Sequence, residues 1–159
     1  MQIIDNFLDQ DIFINLQNNI INKDFPWYYH DNIVKDNENI NYKTSLFAHI
    51  IYNNYQPQST AFNLIRCIID KLDIKALIRI KLNNYSKTES IEYHASHIDY
   101  NYSHKGAMFY INTNNGFTII DNQEVNSVEN RLVLFNPGKL HSSTSSTDYN
   151  RINMIINYL

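Results

Sequence analysis

His97 and Asp99 are separated by a single residue in the stretch Ser90–Tyr100, SIEYHASHIDY. On an extended strand, side chains alternate between faces, so these two point the same way. An imidazole and a carboxylate converging from one strand supply two thirds of the 2-His-1-carboxylate set that binds non-haem Fe(II). The third ligand must come from elsewhere in the chain. His141 is the candidate. It follows the apolar run Arg131–Phe135 and the turn Asn136-Pro137-Gly138, and it opens a segment expected to run back across a sheet. The chain between Asp99 and His141 is long enough for intervening strands, so a late histidine can return beside an early His-x-Asp.

The remaining histidines fit this role less well. His30 and His104 fall in polar stretches and read as solvated side chains. His49 stands alone in an apolar run and reads as structural or pocket-lining. His94 lies three residues before His97, so on a regular strand it faces the opposite way; only a bulge would turn it inward.

Arg151 comes ten residues after His141 and opens the final run RINMIINY. There Ile152, Met154 and Ile156 share one face, and Arg151 and Asn153 share the other. An arginine aimed inward among apolar strands needs an anion, because an unpaired buried charge is costly. Its planar fork matches a carboxylate in a way a lysine cannot.

These residues need a scaffold, and the apolar spacing outlines one. Asp5–Ile21 carries Phe7, Leu8, Ile12, Phe13, Leu16, Ile20 and Ile21 at helical spacing, with Asp5 as an N-cap. Ser59–Leu72 reads as a second amphipathic helix capped by Ser59, with Cys67 packed inside. Phe25–Tyr29 reads as an edge strand, because Pro26 bars a central position. Asp31–Asn41 is a polar loop. Ser45–Tyr52 and Ala76–Tyr85 read as strands, the latter made irregular by Asn83-Asn84. From residue 91 onward short β-like runs recur at 91–99, 106–113, 116–121, 131–136 and 150–158. Asn114-Asn115-Gly116 signals a hairpin and Asp121-Asn122-Gln123 a second turn. Helices first and antiparallel strands after predict a mainly β (α+β) fold, a jelly roll with two helices from the N-terminal half packed on one sheet. No repeat or linker interrupts residues 1–159, which predicts one domain.

Composition bounds the function. The chain has 159 residues, 43% of them hydrophobic, which suits a globular core. The net charge of −3 and the lack of a basic run disfavour a nucleic-acid partner. A single cysteine cannot form an internal disulfide, which points to a reducing, cytoplasmic setting. No signal-peptide pattern and no long apolar run appear, so a membrane role is not expected.

Taken in order, His97-x-Asp99, His141 and Arg151 resemble the Fe(II)/2-oxoglutarate-dependent dioxygenases. The likeness is to the prolyl-4-hydroxylase-like branch and its small phage and bacterial forms. Matching motifs cover roughly residues 75–159, and the earlier part matches in layout. The resemblance implies a double-stranded β-helix with Fe(II) held by His97, Asp99 and His141, and with 2-oxoglutarate and O2 as co-substrates. It implies that Arg151 and the Tyr110 hydroxyl meet the far carboxylate of 2-oxoglutarate, and that Tyr85 lines the same pocket. Gly116-Phe117-Thr118 resembles the family's Gly-x-Thr step. The implied reaction couples decarboxylation of 2-oxoglutarate to succinate with hydroxylation of a peptide or small-molecule substrate. Trp27 and His49 are the candidates for the substrate rim. Competing readings are a metal-free or cupin-like jelly roll, and a phage β-sandwich binding module using Trp27-Tyr28-Tyr29.

Overall fold

The computed structural model describes residues 1–31 and 45–159. The strand β11 (Arg151–Tyr158) is buried along its whole length and pairs antiparallel with β5 (Leu77–Tyr85) on one side and β6 (Lys105–Tyr110) on the other. It is the strand on which both faces of the molecule are built. Ile152, Met154 and Ile156 point to one face and join the main hydrophobic cluster. Arg151, Asn153, Ile155 and Asn157 point to the other.

The larger sheet continues outward from this centre. Beyond β6 come β9 (Leu132–Phe135) and β1 (Gln2–Ile4); beyond β5 come β3 (Leu46–Asn53) and the edge strand β2 (Tyr28–His30), with β4 (Gln56–Pro57) also paired to β3. A smaller sheet has the order β10 (His141–Ser143), β7 (Phe117–Ile120), β8 (Gln123–Asn126). The sheets meet through Met108, Tyr110, Val133, Phe135 and Ile155 from the larger and Ile120 and Val125 from the smaller. The architecture is mainly β, a jelly roll of two antiparallel sheets with helices on the outer face of the larger one.

Helix α1 (Gln10–Ile21) packs Phe13, Leu16 and Ile20 against that outer face, following its apolar spacing. Phe109 sits edge-on to both Phe7 and Phe13, with ring centroids 6.2 and 6.1 Å away. Burying each such ring is worth about 1.5–3 kcal/mol. The helix starts after Asp9, not Asp5. Asp5 instead accepts from Arg131, Nε to Oδ1 at 2.5 Å and Nη2 to Oδ2 at 3.0 Å, tying the chain start to the strand β9 region. The second amphipathic stretch breaks into α2 (Ala61–Leu64) and α3 (Arg66–Ile69) at Ile65, whose φ of −90° and ψ of 0° leave the helical basin. Its periodicity still holds, because Ile65 and Ile68 are fully buried. The N-cap is Thr60, without a side-chain bond, and Ser59 instead supports the turn before the helix, its Oγ accepting from Ala61 N at 3.1 Å.

Several expectations need correction. Asn83-Asn84 does not interrupt β5, because the register to Asn153 and Ile152 is continuous. Asn114-Asn115-Gly116 does not close a hairpin. It carries the chain from the larger sheet to the smaller, since β6 pairs with β9 and β7 with β8. Strands β1 and β8 are too short or too polar to stand out in the sequence. The loop expected over Asp31–Asn41 lies, beyond Asp31, outside the described residues.

With only 3 glycines in the chain, asparagine takes most left-handed positions. Asp121 and Asn122 (φ 51° and 60°) make the tight turn from β7 to β8, and Asn130 has φ 58°. Asn130 also staples the N-terminal segment. Its Oδ1 accepts from Leu8 N at 2.9 Å and its Nδ2 donates to Leu8 O at 2.8 Å, both buried. Asn130→Ala loses both bonds and strains the backbone, for an expected loss of about 3 kcal/mol. Asn130→Gly relieves only the backbone part, about 1 kcal/mol. Urea unfolding measures both, and a loss for Asn130→Ala below about 0.5 kcal/mol, as at an ordinary surface site, contradicts the staple.

Candidate metal centre and its cavity

His97 and His141 are held opposite one another by their own backbones. His97 N donates to His141 O at 2.9 Å, and His141 N donates to His97 O at 3.0 Å. A second bridge joins Tyr93 to Thr144, and Asp99 N donates to Pro137 O at 2.9 Å. The stretch 91–99 is therefore not the regular strand expected. Three residues, 94–96, lie between bridges that are only two residues apart on the other side, 142–143. That extra residue is a bulge, and it breaks the alternation.

The consequence falls on His94. Instead of facing away, its ring is buried, stacked on Tyr85 at 5.0 Å, with Nδ1 2.8 Å from Ser143 Oγ. His104 is also buried rather than solvated, with Nε2 3.3 Å from Asn157 Nδ2. His30 is exposed on the edge strand β2.

His97, Asp99 and His141 come together, each offering one ligand atom, and those atoms lie within 4.8 Å of one another. Each imidazole has Nδ1 beside a backbone carbonyl, Ala95 O at 3.4 Å for His97 and Lys139 O at 2.9 Å for His141. A carbonyl only accepts, so the proton belongs on Nδ1 and the lone pair on Nε2. His97 Nε2 is 3.8 Å from Asp99 Oδ1. Burial, followed by the neighbouring His141, holds the His97 imidazole below its usual pKa, so it is neutral near pH 7.

The Asp99 carboxylate is clamped from the floor of the larger sheet. Arg79 Nη2 reaches Oδ1 at 3.1 Å, and Asn157 Nδ2 donates to Oδ2 at 2.8 Å. Burial pushes this carboxyl up, but Arg79, Asn157 and the two histidines together hold it below the usual range. Two imidazole nitrogens and an ionised carboxylate form the donor set that suits a divalent transition metal with open positions.

The cavity beside these three is lined by residues of β5, β6, β7, β10 and β11, among them Tyr85, Met108, Thr118, Asn153 and Ile155. Arg151 lies beneath its Tyr85–Thr118 end, fully buried. Its Nε donates to Ser127 Oγ at 2.9 Å and its Nη2 to Thr118 Oγ1 at 2.5 Å. The third nitrogen, Nη1, is buried without a partner. The guanidinium is flanked by the rings of Tyr85 and Tyr110, at 5.4 and 5.7 Å. Among the described residues no carboxylate pairs with it. Gly116 makes room, since a Cβ there would stand 2.7 Å from Arg151 Cδ and 2.5 Å from Ser145 O.

Tyr110 is also fully buried, but its hydroxyl donates to Thr118 Oγ1 at 2.8 Å rather than into the cavity. Burial pushes the phenols of Tyr85 and Tyr110 up, against the pull of Arg151, so both stay protonated at neutral pH. Ser127, Arg79 and Asn157 were not singled out from the sequence, and Thr118 entered only through the Gly-x-Thr resemblance. Strand parity could have paired Arg79 with Tyr85 and Asn157 with Arg151, but only the register shows that they meet Asp99.

Trp27 and His49 are not brought to this cavity. His49 pairs in register with Leu82, whose side chain belongs to the helix-covered cluster, and Trp27 packs against the same cluster. Both sit on the far face of the larger sheet. His49 Nδ1 is 2.7 Å from Pro26 O, and the Phe25 ring lies against it, tilted by 48° with centroids 4.8 Å apart. His49 and Trp27 each line a hollow other than the His-Asp-His cavity.

Burial, and then Arg151 and His97, push the His94 imidazole down to about 4. In the unfolded chain a histidine titrates near 6.5. Above that pH both states are neutral and stability is complete. As pH falls from 6.5 toward 4 the unfolded chain takes a proton that the folded one refuses, and about 3 kcal/mol is lost. His94→Phe keeps a ring against Tyr85 and cannot titrate, so the pH dependence of urea unfolding between 6.5 and 4 is expected to flatten. An unchanged slope contradicts the assignment.

No family model matches the chain, and no curated protein matches it in sequence. Solved structures do match. A Pseudomonas putida prolyl-4-hydroxylase aligns with 99% of this chain and 91% of its own, at TM-score 0.61 and 13% identity. The viral collagen prolyl hydroxylase of Paramecium bursaria Chlorella virus-1, in its 2-oxoglutarate complex, aligns over 99% and 96%, at TM-score 0.65 and 14% identity. A Trichoplax adhaerens prolyl hydroxylase in complex with a hypoxia-inducible-factor peptide fragment aligns over 99% and 82%, at TM-score 0.65 and 14% identity. The chain therefore has the jelly-roll fold of the prolyl-4-hydroxylase-like 2-oxoglutarate/Fe(II) oxygenases.

Proposed function

We propose that this chain is an Fe(II)- and 2-oxoglutarate-dependent oxygenase that hydroxylates a peptide residue or a small molecule. The observation that carries the reading is Arg151, a fully buried guanidinium with one unpartnered nitrogen and no anion among the described residues, adjoining the cavity that holds a His-Asp-His cluster. A metal site alone needs no such cation. A dicarboxylate that binds the metal at one end and the guanidinium at the other explains both.

His97, Asp99 and His141 would hold the metal, and Arg151 would hold the far carboxylate with Tyr85 beside it. Tyr110 supports that end by sharing Thr118 with Arg151. When bound, ferrous ion and 2-oxoglutarate supply the chemistry: with O2 they yield succinate, CO2 and the oxidising power to hydroxylate a C–H bond. The chain's own contribution is placement. The backbone carbonyls of Ala95 and Lys139 aim the two imidazoles, and Arg79 and Asn157 keep Asp99 ionised and fixed. Met108 and Ile155 line the cavity with apolar surface that limits water.

Residues 1–159 are read as one catalytic domain. The fold likeness to prolyl hydroxylases, one of them holding a peptide, supports a peptide substrate without choosing it over a metabolite. Cys67 has no disulfide, which fits action in a reducing cytoplasm, and no helix among the described residues is long and apolar enough to cross a membrane.

The test is succinate formed from 2-oxoglutarate with Fe(II) and O2, without any added prime substrate. Turnover is expected in the wild type and near-background turnover in His97→Ala. Arg151→Ala is expected to raise the KM for 2-oxoglutarate by on the order of a hundredfold, the loss of a buried ionic hydrogen-bonded pair of about 3 kcal/mol. Equal turnover in all three proteins contradicts the proposal.

A further inference from the structure

Asn157 sits on β11 in register with Arg79 of β5 and Gly106 of β6, fully buried. Its Nδ2 donates to Asp99 Oδ2 at 2.8 Å, while its Oδ1 is buried without a partner. The two ends of a primary amide are nearly the same size, and its terminal torsion is soft. The bond to Asp99 favours the observed direction. The unpaired oxygen opposes it, because a buried acceptor without a donor is costly. Turning the amide would exchange a hydrogen bond to the metal-ligating carboxylate for an oxygen set against it.

His104 settles the direction. It lies in the loop between Asp99 and β6, 7% exposed, with the rings of Tyr100 and Tyr102 each 5.4 Å from its own. Nδ1 is 2.8 Å from Tyr102 O. A carbonyl only accepts, so Nδ1 carries a proton, and in the neutral ring the lone pair falls on Nε2. Nε2 is 3.3 Å from Asn157 Nδ2. An amide nitrogen has two hydrogens. One meets Asp99 Oδ2 and the other meets His104 Nε2, so two acceptors converge on one NH2 group and keep the oxygen turned away.

The other supports of Asp99 act elsewhere on it. Arg79 Nη2 engages Oδ1, and Pro137 O accepts from the backbone N. Both leave Oδ2 to Asn157. His104 itself neither joins the His-Asp-His cluster nor lines the cavity beside it. Its polar contacts are Tyr102 O and the Asn157 amide, so its effect on the metal centre passes through Asn157.

We propose that His104 is a positioning residue for the metal centre: it fixes the Asn157 amide so that an N–H, not the oxygen, faces Asp99. The contacts run from His104 to Asn157 to Asp99 and act on metal affinity through the direction of the carboxylate. The inference rests on the metal site of the oxygenase reading and extends it outward to a residue that touches neither metal nor co-substrate.

The experiment measures Mn(II) binding to the full chain by calorimetry, without 2-oxoglutarate or O2, so that no turnover enters the readout. His104→Leu removes the acceptor. His104→Gln returns an oxygen near the place of Nε2, and His104→Asn puts one near the place of Nδ1. Loss of an outer partner of a metal ligand weakens binding by roughly 10–100-fold. His104→Leu and His104→Asn are expected to weaken Mn(II) binding by about tenfold, with His104→Gln within about threefold of the wild type. In Asn157→Leu, which has already lost the amide, adding His104→Leu should change the affinity by less than about twofold, because the two residues act as one unit. A ring that only fills space predicts the reverse: His104→Gln no better than His104→Asn, and losses that add. Either result overturns the inference, as does wild-type affinity in His104→Leu. Should His104→Leu fail to fold, the comparison of His104→Gln with His104→Asn decides. A wild type that binds no Mn(II) overturns the metal centre and the oxygenase reading with it, whereas wild-type binding with unaffected variants removes this inference alone.

Discussion

A guanidinium sealed from water at the start of the central strand is the constraint to which one half of the cavity answers. Arg151 cannot shed its charge, so its surroundings must compensate for its desolvation. They do so in part: Ser127 and Thr118 accept from two of its nitrogens, and the faces of Tyr85 and Tyr110 flank it. The remaining nitrogen is without a partner. Gly116 exists where it does because a side chain there would collide with the arginine stem. The apolar face of the same strand packs beneath the helices, so the hydrophobic core that stabilises the fold also fixes the position of the charge.

The opposite end of the cavity is built by backbone pairing rather than by a regular strand. The reciprocal bonds between His97 and His141 bring two distant parts of the chain face to face, and the bulge at 94–96 lets His97 and His94 both turn inward. Carbonyls at Ala95 and Lys139 then orient the rings, while β5 and β11 hold Asp99 from below. Each of the three side chains has a partner that sets its direction and protonation. This is the second layer of contacts that metal sites depend on, and here its Asp99 part is drawn from β5 and from β11, the strand that carries Arg151.

Residue type and order made much of this legible in the sequence. His97-x-Asp99, His141 and Arg151 stand out because few side chains do their chemistry, and the alternation in RINMIINY placed Arg151 opposite the core-facing isoleucines. What stayed hidden depended on register. A one-residue bulge leaves no mark in SIEYHASHIDY, so His94 was placed on the wrong face. Arg79 and Asn157 read as ordinary strand polar residues until pairing set them under Asp99. His49 and Trp27 were assigned to the rim, yet the register of His49 with Leu82 and the packing of Trp27 on the helix-covered cluster put them behind the sheet. Turn chemistry misled as well: Asn114-Asn115-Gly116 has a hairpin composition, but the Cβ-free Gly116 serves the approach of Arg151 and the chain crosses between sheets.

The central claim is that Arg151 awaits the second carboxylate of a dicarboxylate whose other end reaches the His-Asp-His cluster. The direct measurement is the thermal stability of the Mn(II)-loaded chain with 2-oxoglutarate, compared with 2-oxopentanoate, which has the same chain length and lacks the far carboxylate. A ligand at a hundred times its Kd stabilises the folded state by about 2.7 kcal/mol. The account predicts stabilisation of that order by 2-oxoglutarate, little or none by 2-oxopentanoate at the same concentration, and loss of the difference in Arg151→Met. Equal stabilisation by the two acids, or a difference that survives in Arg151→Met, contradicts it.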